Sequence, residues 1–282
     1  MGRVSGSGLI SEYKSLLERL LVEPLVPSVR SSTSVGSGWG RVERPFRELI
    51  GGRLTVQGDH VLLTSAVRPL NVGYALVSSV WILLGRDDLA PLNVHNANGV
   101  PFSMDGFTLS GAFGKRLRGG QVDQIESVVA LLSRDRYSRR AIAFIGRGQD
   151  LSEEIRDFPC ASSVQFFVRE EGLHAVVYMR SQSLFGVFPY DLVNFRYLLE
   201  YLAERLQVTA GTLHFTFGSL HVYQEEESRI REFLNEDDSD FSPLPRLPGD
   251  DLSSLMESWG DPGSGRASVR DWAASRGIVV KN

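Results

Sequence analysis

The sequence predicts an α+β fold. Strand-like and helix-like segments are mixed without the regular alternation of a doubly wound sheet, no internal repeat is visible, and the middle of the chain is rich in strands. Residues 1–8 are rich in Gly and Ser and read as a flexible N-terminus. Leu9, Tyr13, Leu16, Leu17, Leu20 and Leu21 recur at helical spacing, so a first amphipathic helix runs to about Val22. Residues 23–45 hold many Pro, Ser and Gly residues and read as a long loop. Short strand-like runs lie between Thr55 and Thr64. Val72 to Leu84 is apolar nearly all round, as a buried helix is, with Gly85 as its stop. Val122, Ile125, Val129 and Leu132 mark another amphipathic helix.

Ala141–Ile145, Val164–Val168 and Leu173–Tyr178 are strand-like, the last two joined by a turn around Glu171-Gly172. Leu192, Phe195, Leu199, Leu202 and Leu206 form one face of a long helix. Leu213–Phe217 and His221–Tyr223 return to strand. The acidic, Pro- and Gly-rich stretch 236–265 reads as a surface loop, and residues 1–282 as a single domain.

Composition bounds the function. Hydrophobic residues make up 42 % of 282, enough for a large core, and charged residues 23 %. No apolar run approaches the roughly 18 residues that span a bilayer, and the first ten residues lack a signal-peptide core. A cytoplasmic protein is expected, with no membrane partner. One cysteine excludes an internal disulfide, and no pairing of Cys or His suggests a metal. A net charge of −4 argues against nucleic-acid binding. Lysine occurs only at Lys14, Lys115 and Lys281, so 27 of the 30 basic residues are arginine. Arginine grips phosphate bidentately, although base composition alone produces the same bias.

A few residues could carry chemistry. Cys160 follows Pro159 and precedes Ala-Ser-Ser before an apolar strand. By itself it reads either as a small buried hydrophobe or as a nucleophile, and a nucleophilic thiolate needs positive charge nearby. Arg139, Arg140 and Arg180 are the candidates in sequence. Arg180 and Ser181 follow an apolar strand, where both could reach one phosphate or simply meet solvent. Asp191 sits near the start of an apolar helix, a common place for a capping carboxylate. His221 and Tyr223 have period-two spacing and share a strand face, suited to sugar hydroxyls or to an amphipathic edge.

Together and in this order, these residues resemble thymidylate synthase and its nucleotide hydroxymethylase relatives. The matching segments are SRRAIAF, FPCASSVQFFV, EEGLHAVVYMRSQSLFGVFPYDLVNFRYLLEYLA and GTLHFTFGSLHVY. Upstream, GAFGKRLR followed by VDQI is similar to that family's Tyr-Gly-x-Gln-Trp-Arg and Asp-Gln-Ile elements, and VSSVWILLGRDD to its Trp-Phe-Leu-x-Gly helix. The resemblance covers about residues 9–223. It implies a large mixed β-sheet packed with helices, one sheet face forming a homodimer interface.

It also implies roles. Cys160 would attack carbon 6 of a pyrimidine, making carbon 5 a nucleophile. Arg180 and Ser181 would hold the 5′-phosphate of a pyrimidine nucleoside monophosphate. Arg139 and Arg140 would reach the partner subunit's site. Arg30 is the counterpart of a further phosphate arginine, in a loop whose motif is degraded. Gln165 would support the nucleotide side of the pocket, and His221 and Tyr223 would bind the sugar hydroxyl. Trp81 and Ser183 would face the co-substrate, 5,10-methylenetetrahydrofolate, with no metal involved.

The departures from the family narrow the reading. The synthases carry asparagine where this chain has Asp191, and that asparagine reads the uracil edge. Cytosine offers an amino donor instead of a carbonyl acceptor, and a carboxylate accepts from it. Asparagine replaced by aspartate is also what deoxycytidylate hydroxymethylases look like, so CMP or dCMP is the expected substrate. The histidine after the cysteine is Ala161 here. The family tyrosine is Phe113, with Arg116-Leu117 for Gln-Trp. The aspartate that contacts the pterin is Ser183. The glutamate that organises proton transfer is Ser78, and serine is no equivalent acid. Asp87 and Asp105 lie in the stretch where a substitute could arise. Altered pocket walls favour a hydroxymethylase, in which water reaches the new carbon. A uridylate methylase or hydroxymethylase, and a homologue that binds nucleotide without turnover, are the alternatives.

Overall fold

The computed structural model describes residues 6–30, 43–151, 155–170, 172–237, 240–247 and 251–278. In chain order these form α1 (Gly6–Val22), β1 (Leu25–Arg30), β2 (Glu43–Val56), β3 (His60–Thr64), α2 (Val72–Leu83), α3 (Ala90–His95), α4 (Phe113–Arg118), α5 (Gln124–Arg134) and β4 (Ile142–Phe144). Then follow β5 (Ala161–Arg169), β6 (Gly172–Ser183), α6 (Phe188–Arg205), β7 (Thr209–Tyr223), α7 (Glu227–Leu234), β8 (Asp240–Pro243), α8 (Leu252–Trp259) and α9 (Gly265–Ala274). The fold is α+β, as the sequence predicts.

Six strands make one mixed sheet in the order β1-β2-β7-β6-β5-β4, and β3 pairs with β8 in a second, two-stranded sheet. Within the large sheet β6 and β7 are parallel and the other neighbours antiparallel. A parallel pair needs a crossover, which α6 provides. Alternation along β6 explains its two faces. Leu173, Ala175, Val177 and Met179 are buried beneath helices, whereas His174, Val176, Tyr178 and Arg180 point the other way. Phe188 at the start of α6 meets Phe215 of β7 edge to face, ring centroids 5.1 Å apart.

The opposite sheet face is not covered by any described helix. Tyr178 is 37 % exposed there and Phe144 56 %. Gln165 and Val176, paired in register, lie on the same face.

Local chemistry sets the helix ends. Asn71 caps α2 by accepting from the Tyr74 N–H at 3.0 Å, and Gly85, at φ +72°, ends it where a side chain would be strained. Asp123 caps α5 through the N–H groups of Ile125 and Glu126.

Three expectations change. Gly6 to Gly8, read as flexible, already belong to α1, and residues 1–5 lie outside the described residues. The stretch 23–45, read as loop, contains β1 and the start of β2. The stretch 236–265, read as a surface loop, holds β8 and α8. Its acidic, Pro-rich composition hid Leu252, Leu255, Met256 and Trp259, which recur at helical spacing and pack α8 inward, Trp259 being 1 % exposed. No helix among the described residues is long and apolar enough to cross a membrane.

Candidate active site

The β5–β6 pairing builds the centre of the site. Cys160 stands just before β5, partly buried, and its carbonyl accepts from the Arg180 N–H at 2.8 Å. The Arg180 side chain folds back over the same turn. Nε donates to the Pro159 carbonyl at 2.9 Å, Nη2 to the Phe158 carbonyl at 2.9 Å, and the guanidinium lies 4.5 Å from the Phe158 ring centre. Arg180 therefore holds the turn that presents the thiol. The sequence placed it at a strand end. It lies instead inside β6, which runs on to Ser183 and carries Ser181 half-buried beside Ser219.

Electrostatics around the thiol are unfavourable to a thiolate. Burial pushes Cys160 up to about 11; Arg180 pulls it down, and Asp191 and Asp157 push it further up. Arg139 and Arg140, offered by the sequence as activating charges, are not among the charges that act most on the thiol, which are Arg180, Asp191 and Asp157. Both are exposed beside the uncovered sheet face, where the Gln165 amide donates to the Arg139 carbonyl at 2.9 Å. Gln165 thus belongs with these arginines on the open face.

Asp191 lies in the first turn of α6, 7 % exposed, and accepts from Gln182 Nε2 at 3.0 Å. Burial raises its carboxyl to about 6, and the Gln182 amide holds it down. Gln182 Oε1 is buried without a partner among the described residues. The charge on Asp191 is felt by both Cys160 and Tyr74 of α2. His221 and Tyr223 share one face of β7, their rings 5.1 Å apart and edge to face. Burial lowers His221 to about 4, so its imidazole is neutral at physiological pH. The Arg44 guanidinium stacks on the Tyr223 ring at 3.6 Å.

Where the resemblance expects a glutamate, Ser78 is buried. Its Oγ lies 3.0 Å from Asn194 Oδ1, and Ser79 Oγ lies 2.8 Å from the same oxygen. Asn194 is one helical turn beyond Asp191. Neither substitute acid is near. Asp105 is consumed in its own turn by Ser103, Phe107 and Thr108, which hold it well below the usual carboxylate range, and Asp87 pairs with Lys115 at 3.4 Å. Trp81 is buried, its indole N–H bonded to the Asp88 carbonyl at 2.8 Å. Ser183 is buried at the end of β6 and accepts from the Gly186 N–H at 3.3 Å. Arg30 ends β1, and its side chain lies outside the described residues.

The sequence reading missed Asp157, Gln182 and Arg44. Asp157 precedes Cys160 by three residues, is raised mainly by burial, and accepts from the Gly111 N–H at 2.9 Å. An acid one turn before a Pro-Cys pair was the available signal. Gln182 and Arg44 carried none, since only the fold brings them to Asp191 and Tyr223. A cavity of about 960 Å³ lies elsewhere, around Arg196, Glu200 and Arg246, and none of the residues above lines it. No group of three or more His, Cys, Asp or Glu among the described residues could hold a metal ion.

Comparison with known proteins gives a consistent picture. The family model described as thymidylate synthase matches residues 68–254. A deoxyuridylate hydroxymethyltransferase of Bacillus phage SP01 is 31 % identical over 173 residues, 56 % of this chain and 45 % of that protein. One of Pseudomonas phage M6 is 30 % identical over 169 residues, 58 % and 48 % of the two chains. A putative thymidylate synthase of Methanosarcina mazei is 34 % identical over 124 residues, 43 % and 57 %. The chain spans about half the length of the curated relatives it matches.

Proposed function

Because the chain belongs to the thymidylate synthase family, we propose that it is a one-carbon transferase that hydroxymethylates carbon 5 of a cytidine monophosphate, CMP or dCMP. The observation that carries the choice of base is Asp191, a buried carboxyl in the first turn of α6 with the Gln182 amide on one oxygen. An ionised carboxylate only accepts. It therefore matches the exocyclic amino group of cytosine and opposes the carbonyl of uracil.

Cys160 Sγ adds to carbon 6 of the bound ring, and the displaced electron pair makes carbon 5 nucleophilic. Methylenetetrahydrofolate supplies the carbon that carbon 5 attacks. Loss of the carbon 5 proton and departure of tetrahydrofolate would leave an exocyclic methylene on carbon 5, and water adding to it would expel the Cys160 thiolate from carbon 6 and leave the 5-hydroxymethyl product. Arg180 positions the thiol through the Phe158 and Pro159 carbonyls, and with Ser181 faces the 5′-phosphate. His221 and Tyr223 hold the sugar. Asp157 is the buried carboxyl nearest in sequence to the thiol and the candidate to move the proton that the family glutamate would move.

The chain acts as a homodimer through the uncovered sheet face, with Arg139 and Arg140 completing the partner subunit's site. Among the described residues Arg180 is opposed at the thiol by Asp191 and Asp157, and positive charge from a partner would favour the thiolate.

A second reading is a uridylate substrate. The two phage relatives are named for deoxyuridylate, and a carboxyl raised to about 6 can carry a proton to donate to a uracil carbonyl. Incubating the protein with CMP, dCMP, UMP or dUMP and methylenetetrahydrofolate separates the two. A cytidine product heavier by one CH₂O unit is expected. Turnover confined to the uridine forms refutes the choice of base, and carbon 5 tritium that never exchanges from any nucleotide refutes the reaction.

A further inference from the structure

A carboxyl tells cytosine from uracil by its protonation state. Ionised, it accepts from an amino group; protonated, it also donates to a carbonyl. Gln182 stands on β6 between Ser181 and Ser183, opposite Leu220 of β7, and is 2 % exposed. Its Nε2 donates to Asp191 Oδ2 at 3.0 Å, across the turn that joins β6 to α6. No other side chain among the described residues donates to that carboxyl.

The amide has one useful orientation. Nε2 turned to the carboxylate makes a charge-assisted hydrogen bond, whereas the flipped amide would set oxygen against oxygen. That orientation leaves Oε1 buried with no partner among the described residues. A buried orphan acceptor is costly, so what the amide contributes here is its donor.

The other groups around Asp191 do not replace it. Cys160, ahead of β5, and Tyr74 of α2 feel the Asp191 charge, and Asp157 acts on both. The Tyr190 ring, next to Asp191, meets Tyr74 edge to face at 5.6 Å. On the strands, Arg180 is engaged with the Phe158 and Pro159 carbonyls, and the buried His221 is neutral at physiological pH. Asn194, one turn along α6, turns its Oδ1 to the Ser78 and Ser79 hydroxyls. Burial drives Asp191 toward its protonated form, and the Gln182 amide opposes it.

We propose that Gln182 is a positioning residue that sets the base preference of the site: its donation to Oδ2 keeps Asp191 an acceptor for the amino group of cytosine, and without it the carboxyl takes a proton and donates to the carbonyl of uracil. This rests on Asp191 reading the base.

The test is Q182M in the full chain, an apolar side chain of similar length. Two measurements follow the Asp191 proton between about pH 5 and 8. The first is urea unfolding without nucleotide, with each stability taken relative to the matching protein that also carries D191N. The stability lost as Asp191 ionises should be lost about one pH unit higher in Q182M than in wild type. The second is the ratio of CMP to UMP dissociation constants, in which phosphate titration cancels. In wild type the preference for CMP should weaken as pH falls through about 6. In Q182M the same change should come about one pH unit higher, which makes the preference at pH 7 about 5- to 10-fold weaker. Introduced into D191N, Q182M should leave the ratio within about twofold at every pH, which a merely structural role would not produce. An unchanged midpoint in Q182M overturns the proposal, as does a loss of preference that is equal at every pH or persists in D191N. A wild-type ratio that ignores both pH and D191N refutes the base reading itself, whatever the unfolding data show.

Discussion

Replacing Asp191 by Asn tests the base-reading argument and the electrostatics behind it in one variant. The carboxyl stands at about 6 in the folded chain, against an ordinary value near 3.8. A raised carboxyl binds a proton in the native state that the unfolded chain has already released, so stability falls as pH rises through this window. The interval of roughly two pH units amounts to about 3 kcal/mol, lost as pH rises from about 4 to a little above 6, of which about 1 kcal/mol falls between pH 5 and 7.5. Asn carries no such charge and still offers an oxygen to Gln182. D191N should therefore gain stability relative to wild type by about 1 kcal/mol more at pH 7.5 than at pH 5, read from urea unfolding at both pH values. It should also shift preference from CMP toward UMP by about 10- to 100-fold at pH 7.5, because an amide can donate to the uracil carbonyl that a carboxylate opposes. The competition assay compares nucleotides with the same phosphate, so phosphate titration cancels. A stability gain independent of pH, or an unchanged CMP to UMP ratio, refutes the argument.

Other expectations follow from single contacts. C160A should abolish tritium exchange from carbon 5 while leaving CMP affinity within about threefold, since only the nucleophile is lost. R180K should lower kcat by about 10-fold or more, because a lysine cannot hold the Phe158 and Pro159 carbonyls at once; wild-type kcat in R180K removes Arg180 from the thiol's support. D157N should reduce kcat by about 100-fold with little change in nucleotide affinity if Asp157 moves a proton, and a pH–rate profile that keeps the same acid limb would contradict that role.

The fold was legible in the sequence wherever burial followed a simple period. The apolar helix at Val72–Leu83, the stripe of α6 and the alternation of β6 all appear where the pattern puts them. It was illegible where composition and period disagreed. In β1 and α8, Pro, Ser, Gly and acidic residues mask a few apolar side chains whose burial is decided by distant partners, as when the Trp259 carbonyl meets the buried His95 ring at 2.8 Å. The site divides in the same way. Cys160, Arg180, Ser181, Asp191, His221 and Tyr223 sit in segments whose order carries the resemblance. Gln182, Asp157 and Arg44 acquire meaning only through contacts across 9 to 181 residues of sequence, such as Gln182 with Asp191 and Arg44 with Glu225. No local pattern encodes such contacts.

Cys160 gathers these strands into one remaining question. A thiol at about 11 is almost wholly protonated at neutral pH, and among the described residues Arg180 works against two carboxyls, Asp191 and Asp157. Arg180 is already engaged with two carbonyls, so a second source of positive charge would favour the thiolate. Arg139 and Arg140 are exposed, adjacent in sequence, and stand beside the sheet face that no described helix covers. A second copy docked on that face would bring its own pair toward the thiol, with twofold symmetry building both sites at once. Mixing inactive C160A with inactive R139A/R140A should therefore restore about a quarter of wild-type activity. About half of the randomly reassorted dimers are then mixed, and each mixed dimer carries one intact site of two. Light scattering checks that the protein is dimeric, and differently tagged subunits check that exchange has occurred. A mixture that has exchanged and stays as inactive as its parents would place the arginines in the same chain's chemistry, or in none.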